Sequence, residues 1–264
     1  DDEPEQPVER VEYKADQAEV QEELNLALDV ADLDAEAVGP ELRIDAGDVL
    51  GGSADLDVHL INEGTLAPGY SPGELSVTDF SQDPDATLDM EVGGNTAGTE
   101  FDQLNIAELA KLGGTLDVAL IDGFKPNDGD TFDLLTYAER EGDFSRITGL
   151  YEHDLDDIYL RVAEEADTDG QKAMQLQALA AETIELNTAG SIFELTQESL
   201  TLNDSNAYIF NTAAGVERVS ILGDLDLGNA HLLLNAEQIF VGAAGSITTT
   251  GDIIFNARDR DTSN

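Results

Sequence analysis

The chain has 264 residues, with 57 Asp and Glu against 12 Lys and Arg, for a formal net charge of −45. Nucleic acid and anionic membrane surfaces both demand a basic stripe, so this balance excludes them as partners. Hydrophobic residues still make up 41% of the chain, and a disordered acidic tail would have far fewer.

Residues 1–22 (DDEPEQPVERVEYKADQAEVQE) form an acidic N-terminal arm. Pro4 and Pro7 oppose an early helix, and residues 12–22 suit either a short helix or an arm that orders against a partner. From Glu23 the pattern changes. Leu24, Leu26, Leu28 and Val30 alternate with Asn25, Ala27 and Asp29, a period of two that marks a half-buried strand. Further strands are predicted at Leu42–Ile44, Leu56–Ile61, Leu75–Val77, Leu88–Val92, Leu116–Ile121, Phe132–Leu135 and Ile158–Val162. Gly, Pro-Gly and Asn-Asp-Gly turns separate them. Glu108–Lys111 is a short helix-compatible patch. On spacing alone, a sandwich, a barrel and a solenoid fit equally.

Near residue 166 the composition shifts, dividing the chain into sections 23–165 and 166–264. Residues 172–182 suit a helix or a strand. Beyond them, TAGSI (Thr188–Ile192), TAAGVERVSI (Thr212–Ile221) and GAAGSI (Gly242–Ile247) repeat an Ala-Gly turn followed by a strand. A spacing of about 25–30 residues lies in the range of solenoid turns, each of which must stack on its neighbour to bury its apolar face. Val219, Ile221, Leu225, Leu232–Leu234 and Ile239–Val241 are the expected interior. Gly190, Gly215 and Gly245 are expected at corners, and Asn203, Asn211 and Asn235 in turns.

Five segments of residues 64–150 carry more than a generic pattern: GTLAPGYSPGELSV, EFDQLNI, LGGTLDVAL, NDGDTFDLL and GDFSRITGL, in that order. The series resembles the C-terminal repeats of autotransporter passengers. Residues 183–264, as in GSITTTGDIIFNARD, are similar to the looser turns of filamentous-haemagglutinin-like adhesins. The resemblance implies an all-β fold, a right-handed parallel β-helix (solenoid) in two sections. It also implies a secreted, surface-exposed, non-catalytic passenger or adhesin. The family's motif residues are turn and strand positions, so no catalytic residue carries over. The chain opens on Asp1, without an initiating Met or signal peptide, and no translocator barrel follows residue 264. The expectation is a processed or excised product of a larger surface protein.

Chemistry-bearing residues are sparse. There is no Cys, and His59, His153 and His231 lack metal-site spacing. His59, between Val58 and Leu60 on a strand, is expected to face outward. No G-x-S-x-G elbow or phosphate-binding loop is present, because Gly93-Gly94 and Gly113-Gly114 open or close strands. A β-helix polysaccharide lyase is the enzymatic alternative, but Lys111, Lys125, Arg140, Arg146 and Arg161 form no cluster along the sequence. The expectation is that the chain is not an enzyme and needs no cofactor.

Calcium is the one ion the pattern favours. Asn127-Asp128-Gly129-Asp130 and Asp167-Thr168-Asp169-Gly170 put carboxylates on tight turns, so Asp128, Asp130, Asp167 and Asp169 are the candidate ligands; neither turn completes an EF-hand loop, and the alternative for each is an ordinary Asx turn. Asp154-Leu155-Asp156-Asp157 is a further acidic cluster. Carboxylates stacked on strands about 4.8 Å apart repel by roughly 0.9 kcal/mol in water, and a screening length of about 3 Å at 1 M salt removes most of that. The surface therefore suits saline surroundings or divalent cations. The strand-like C-terminus runs into Arg258 and Arg260, expected contacts for a neighbour's acidic arm. The expected function is a subunit or segment of a cell-surface fibre joining end to end. The alternatives are a monomeric glycan-binding adhesin fragment and the lyase.

Overall fold

The computed structural model describes residues 11–12, 40–69, 72–150, 155, 157–166, 171–199, 202 and 205–257. The strand expected at Leu24–Val30 lies outside them. The fold is all-β with parallel sheets; among the described residues the only helix is a single 3-10 turn, Gln197–Ser199.

In chain order the strands are β1 (Val11–Glu12), β2 (Glu41–Ile44), β3 (Val49–Gly52), β4 (Ala54–Asn62), β5 (Thr65–Pro68), β6 (Glu74–Gln82), β7 (Thr87–Val92), β8 (Gln103–Ile106), β9 (Leu109–Leu112), β10 (Thr115–Leu120), β11 (Thr131–Tyr137) and β12 (Glu139–Gly142). They continue with β13 (Arg146–Thr148), β14 (Ile158–Ala166), β15 (Lys172–Ala180), β16 (Glu182–Leu186), β17 (Ile192–Leu195), β18 (Ala207–Thr212), β19 (Arg218–Ile221), β20 (Asp224–Asp226), β21 (His231–Ala236), β22 (Gln238–Val241), β23 (Ser246–Thr248) and β24 (Ile253–Ala257). Every strand the sequence predicts within the described residues is present. Glu108–Lys111 is not helical: Leu109–Leu112 is a strand, because Leu109, Ala110 and Leu112 are held in register with β12 and Ala110 also with β6. Residues 172–180 are likewise a strand, paired antiparallel with β11.

The chain divides into two compact units, one of residues 1–125, 131–153 and 162–177, the other of 126–130, 154–161 and 178–264. In the first unit, β1, β3, β5, β7, β10 and β13 form one sheet, parallel at every step. A second sheet holds β2, β4, β6, the β8–β9 pair and the β11–β12 pair, also in parallel. The chain alternates between the two sheets, so equivalent residues stack. Leu66, Leu88 and Leu116 are in register and fully buried, as are Leu60, Phe80 and Ala110. Burial of this kind contributes about 25 cal/mol per Å² of apolar surface. Gly114 makes one of the crossings possible. Its φ is +60°, and a Cβ there would sit 2.2 Å from the Ala86 carbonyl oxygen.

The second unit carries three short parallel ladders: β16-β18-β21-β24, β17-β19-β22 and β20-β23. Leu186, Leu195, Phe210, Val219, Ile221, Leu225, Leu232 and Leu234 form its buried core. Three expectations need correction. Asn211 and Asn235 lie inside strands, not turns, and stack with Asn256: Asn235 Nδ2 donates to Asn211 Oδ1 at 2.7 Å and Asn256 Nδ2 to Asn235 Oδ1 at 3.0 Å. An amide carries both donor and acceptor, so identical side chains on successive strands bond one another. The third repeat is out of step: GAAGSI leads into β23, which pairs β20, whereas TAGSI and TAAGVE lead into β17 and β19. A short Gly turn marks any corner, so it does not identify which one. Lastly, Val241 belongs to the interior by register but is 48% exposed, and Phe240 is exposed as well, because β22 ends its sheet.

Candidate functional site

The acidic turn at Asn127–Asp130 is built by its own backbone. Gly129 takes φ +87°, Asp130 N donates to Asn127 O, and the Asp130 carboxylate accepts from Asn127 N at 2.8 Å. Asp128 Oδ1 accepts from Ala180 N at 2.7 Å, while Gly129 and Asp130 pair with Ala178. The Asp130 carboxylate thus closes the turn, and Asp128 fastens it to Ala180 within the same unit. Among the described residues, no three His, Cys, Asp or Glu gather closely enough to hold a metal ion. Asp167, Asp169, Asp154 and Asp156, along with Arg258 and Arg260, lie outside the described residues. Of the acidic arm, Val11–Glu12 are described, as a strand on β3 of the same chain.

The remaining ionisable groups are dispersed. His59 is half-buried between fully buried Val58 and Leu60, as its alternation predicts, and lies 2.8 Å from Ser81 Oγ. His231 stacks on Tyr159 at 5.2 Å. Arg140 pairs with Asp143 and Glu164, and Tyr137 donates to Glu164 at 2.7 Å. The Tyr137 hydrogen bond and then Arg140 hold Glu164 below its ordinary value, against a partial desolvation. Lys111 faces Glu141 at 3.9 Å on the surface.

Asp102 is the exception to this dispersal. It is 2% exposed, accepting from Gly73 N at 2.7 Å and from Glu91 N at 2.8 Å, and so ties the turn before β6 to the end of β7. Burial raises its pKa to about 7, outweighing the two N–H donors, with the Glu91 and Asp89 charges adding to the rise. Asp89 is raised too, by burial first and then by Asp117, its register partner on β10. This is the stacked-carboxylate arrangement that the composition anticipates. Asp117 also accepts from Thr148 on β13, one strand further.

Two surfaces stand out by shape and exposure. On the first unit, a groove of about 460 Å³ crosses β4, β6, β8 and β11. Asp55, Ser76, Asn105 and Thr136 are consecutive register partners along it, while Leu56, Val77 and Ile106, the next residues on three of these strands, are buried on the opposite, core face. The strands bend there: β4 shifts register between Leu56 and His59, Thr78 and Asp79 both leave the core, and Ala107-Glu108 separates β8 from β9. On the second unit, β22, β23 and β24 each end their sheet among the described residues, and Phe240, Val241, Ile253 and Phe255 are between 39% and 52% exposed. Val241, Ile253 and Phe255 stack directly on the buried Ile221, Leu232 and Leu234. The sequence contains the strands of both surfaces but not their register. Only pairing Leu56 with Val77 and Ile106 lines up the groove's outward polar row. No protein-family model, no curated protein and no solved structure matches the chain.

Proposed function

We propose that the chain is a non-enzymatic structural and adhesive module of an extracellular, cell-surface fibre. In this reading both units coil as right-handed parallel β-solenoids, and copies extend the coil by joining ends. The observation that carries it is the end of the second unit, which no strand covers among the described residues. Three terminal strands, QIFV, SIT and IIFNA, contain no ionisable residue in a chain of net charge −45. Proteins that resist strand addition place charges on such edges, and this one does not. The exposed apolar side chains continue the buried core, so a further strand layer would bury them and pair the free backbone groups.

The alternation of the chain between parallel ladders supports the solenoid. The acidic flanks suit saline surroundings, where stacked carboxylates are screened. Calcium acts in this reading as a loosely held counterion, and Arg258 and Arg260 as contacts for a neighbour's acidic arm. Electron microscopy of the purified protein at about 0.1 M and 1 M NaCl, with and without calcium, tests the proposal. End-joined rods or fibres, more abundant at high salt, are expected. Single short particles under all conditions contradict it.

A further inference from the structure

The groove on the first unit has a definite chemical bias. Its polar lining is Asp55, Asp57, Ser76, Thr78, Asn105, Thr136 and Gln171. Two of its hydroxyls already use their protons inside the protein: Thr78 Oγ1 donates to Asp57 Oδ1 at 2.8 Å, and Thr136 Oγ1 to Asn105 Oδ1 at 2.6 Å. Asn105 Nδ2 in turn donates to Glu74 Oε1 at 2.6 Å. The lone pairs of these hydroxyls and of the Asp55 and Asp57 carboxylates outnumber the donors that Ser76, Asn105 and Gln171 carry. The groove is therefore an acceptor-rich strip that favours a ligand dense in donors. Its carboxylates and the charge of the whole chain repel anions.

The strip is also linear and periodic. Asp55, Ser76, Asn105 and Thr136 lie on four adjacent strands, so the row presents a polar group about every 4.8 Å over roughly 14 Å. Leu56, Val77 and Ile106, between these groups, turn their side chains into the core, so the floor of the strip is strand backbone, and Ala107 at its edge is exposed. A hydroxyl-rich chain with evenly repeated donors matches this pattern. We infer that the groove binds a linear oligosaccharide of neutral or amino-bearing sugars, lying across β4, β6, β8 and β11. The inference stands on the groove alone and holds whether or not copies of the chain join end to end.

Calorimetric titration with cellohexaose (neutral), a chitosan hexamer (cationic) and a hexagalacturonate (anionic) tests it on the full chain. Binding of the neutral or cationic hexamer is expected, with no binding of the anionic one. Neutral binding should be insensitive to salt, and cationic binding should weaken between about 0.1 M and 1 M NaCl. Ser76→Phe, which fills the groove, and Asn105→Ala, which trims its rim, should each reduce affinity about tenfold or more, with far-UV circular dichroism verifying that both variants fold. Should Ser76→Phe disrupt the strand, Asn105→Ala alone carries the test. Lack of binding by both hexamers at millimolar concentration overturns the inference. So does equal binding of the anionic one, or unchanged affinity in the folded variants. Fibre formation by microscopy is scored separately, so loss of one property does not mask the other.

Discussion

Asp102 shows how a single side chain couples this fold to its surroundings. Its carboxylate bridges two backbone N–H groups from different turns of the chain. Its folded pKa, about 7, lies above the unfolded value of 3.8. Between those values the native state keeps a proton that the unfolded chain has released. On this group's account, stability is therefore greatest below about pH 4 and falls as pH rises to about 7, by at most roughly 1.4 kcal/mol per pH unit. Thermal unfolding from about pH 4 to pH 8 should show Tm falling with pH in the wild type and a shallower fall in Asp102→Asn. The variant should also be less stable at acid pH by about 1–3 kcal/mol, because an amide accepts from only one of the two N–H groups. Identical pH slopes in the two proteins would refute this role. The asparagine stack gives a second test at this scale. Asn235 is 5% exposed and both donates and accepts. Asn235→Asp places a charge there without a donor, and should cost about 2 kcal/mol or more at neutral pH in a denaturant titration, with the loss shrinking as the carboxyl protonates in acid.

Among the elements, the strands were the legible part and their partners were not. Alternation at Leu56–Ile61 or Leu116–Ile121 is written in adjacent residues, and those strands are where the pattern puts them. Pairing depends on how many residues each turn takes, and that number varies: Leu66, Leu88 and Leu116 are partners at unequal steps. This is why GAAGSI was aligned with the wrong corner, and why the polar row of the groove was invisible. Helix-compatible Glu108–Lys111 became a strand because neighbouring strands imposed their pairing on a weak local preference. The crossings are less forgiving. Gly114→Ala should lower stability by about 2 kcal/mol or more, since the new Cβ meets a carbonyl oxygen in a left-handed conformation. Gly123, whose φ is also positive but whose Cβ would meet nothing within 4 Å, should tolerate the same change better. Denaturant midpoints of the two variants check the contrast.

For the whole molecule, charge and the uncovered terminal strands set the behaviour. Asp89 and Asp117 repel across adjacent strands within a net charge of −45. Raising NaCl from about 0.1 M to 1 M should therefore raise Tm by several degrees. This expectation follows from composition alone, because it needs only many carboxylates on stacked strands. Of the candidate calcium residues, Asp130 closes its own turn on Asn127 N, which the Asx-turn reading of the sequence anticipates, whereas the bond of Asp128 to Ala180 N, 52 residues along the chain, is not legible locally. The same salt that steadies the fold also removes the barrier between negatively charged copies. Sedimentation velocity at about 1 M NaCl, comparing the wild type with the double variant Val241→Lys, Phe255→Lys, is the most direct test of the account. Wild-type protein should form concentration-dependent end-joined species, and the folded variant should remain monomeric. A wild type that sediments as a monomer at every concentration, or a variant that associates equally well, would contradict it.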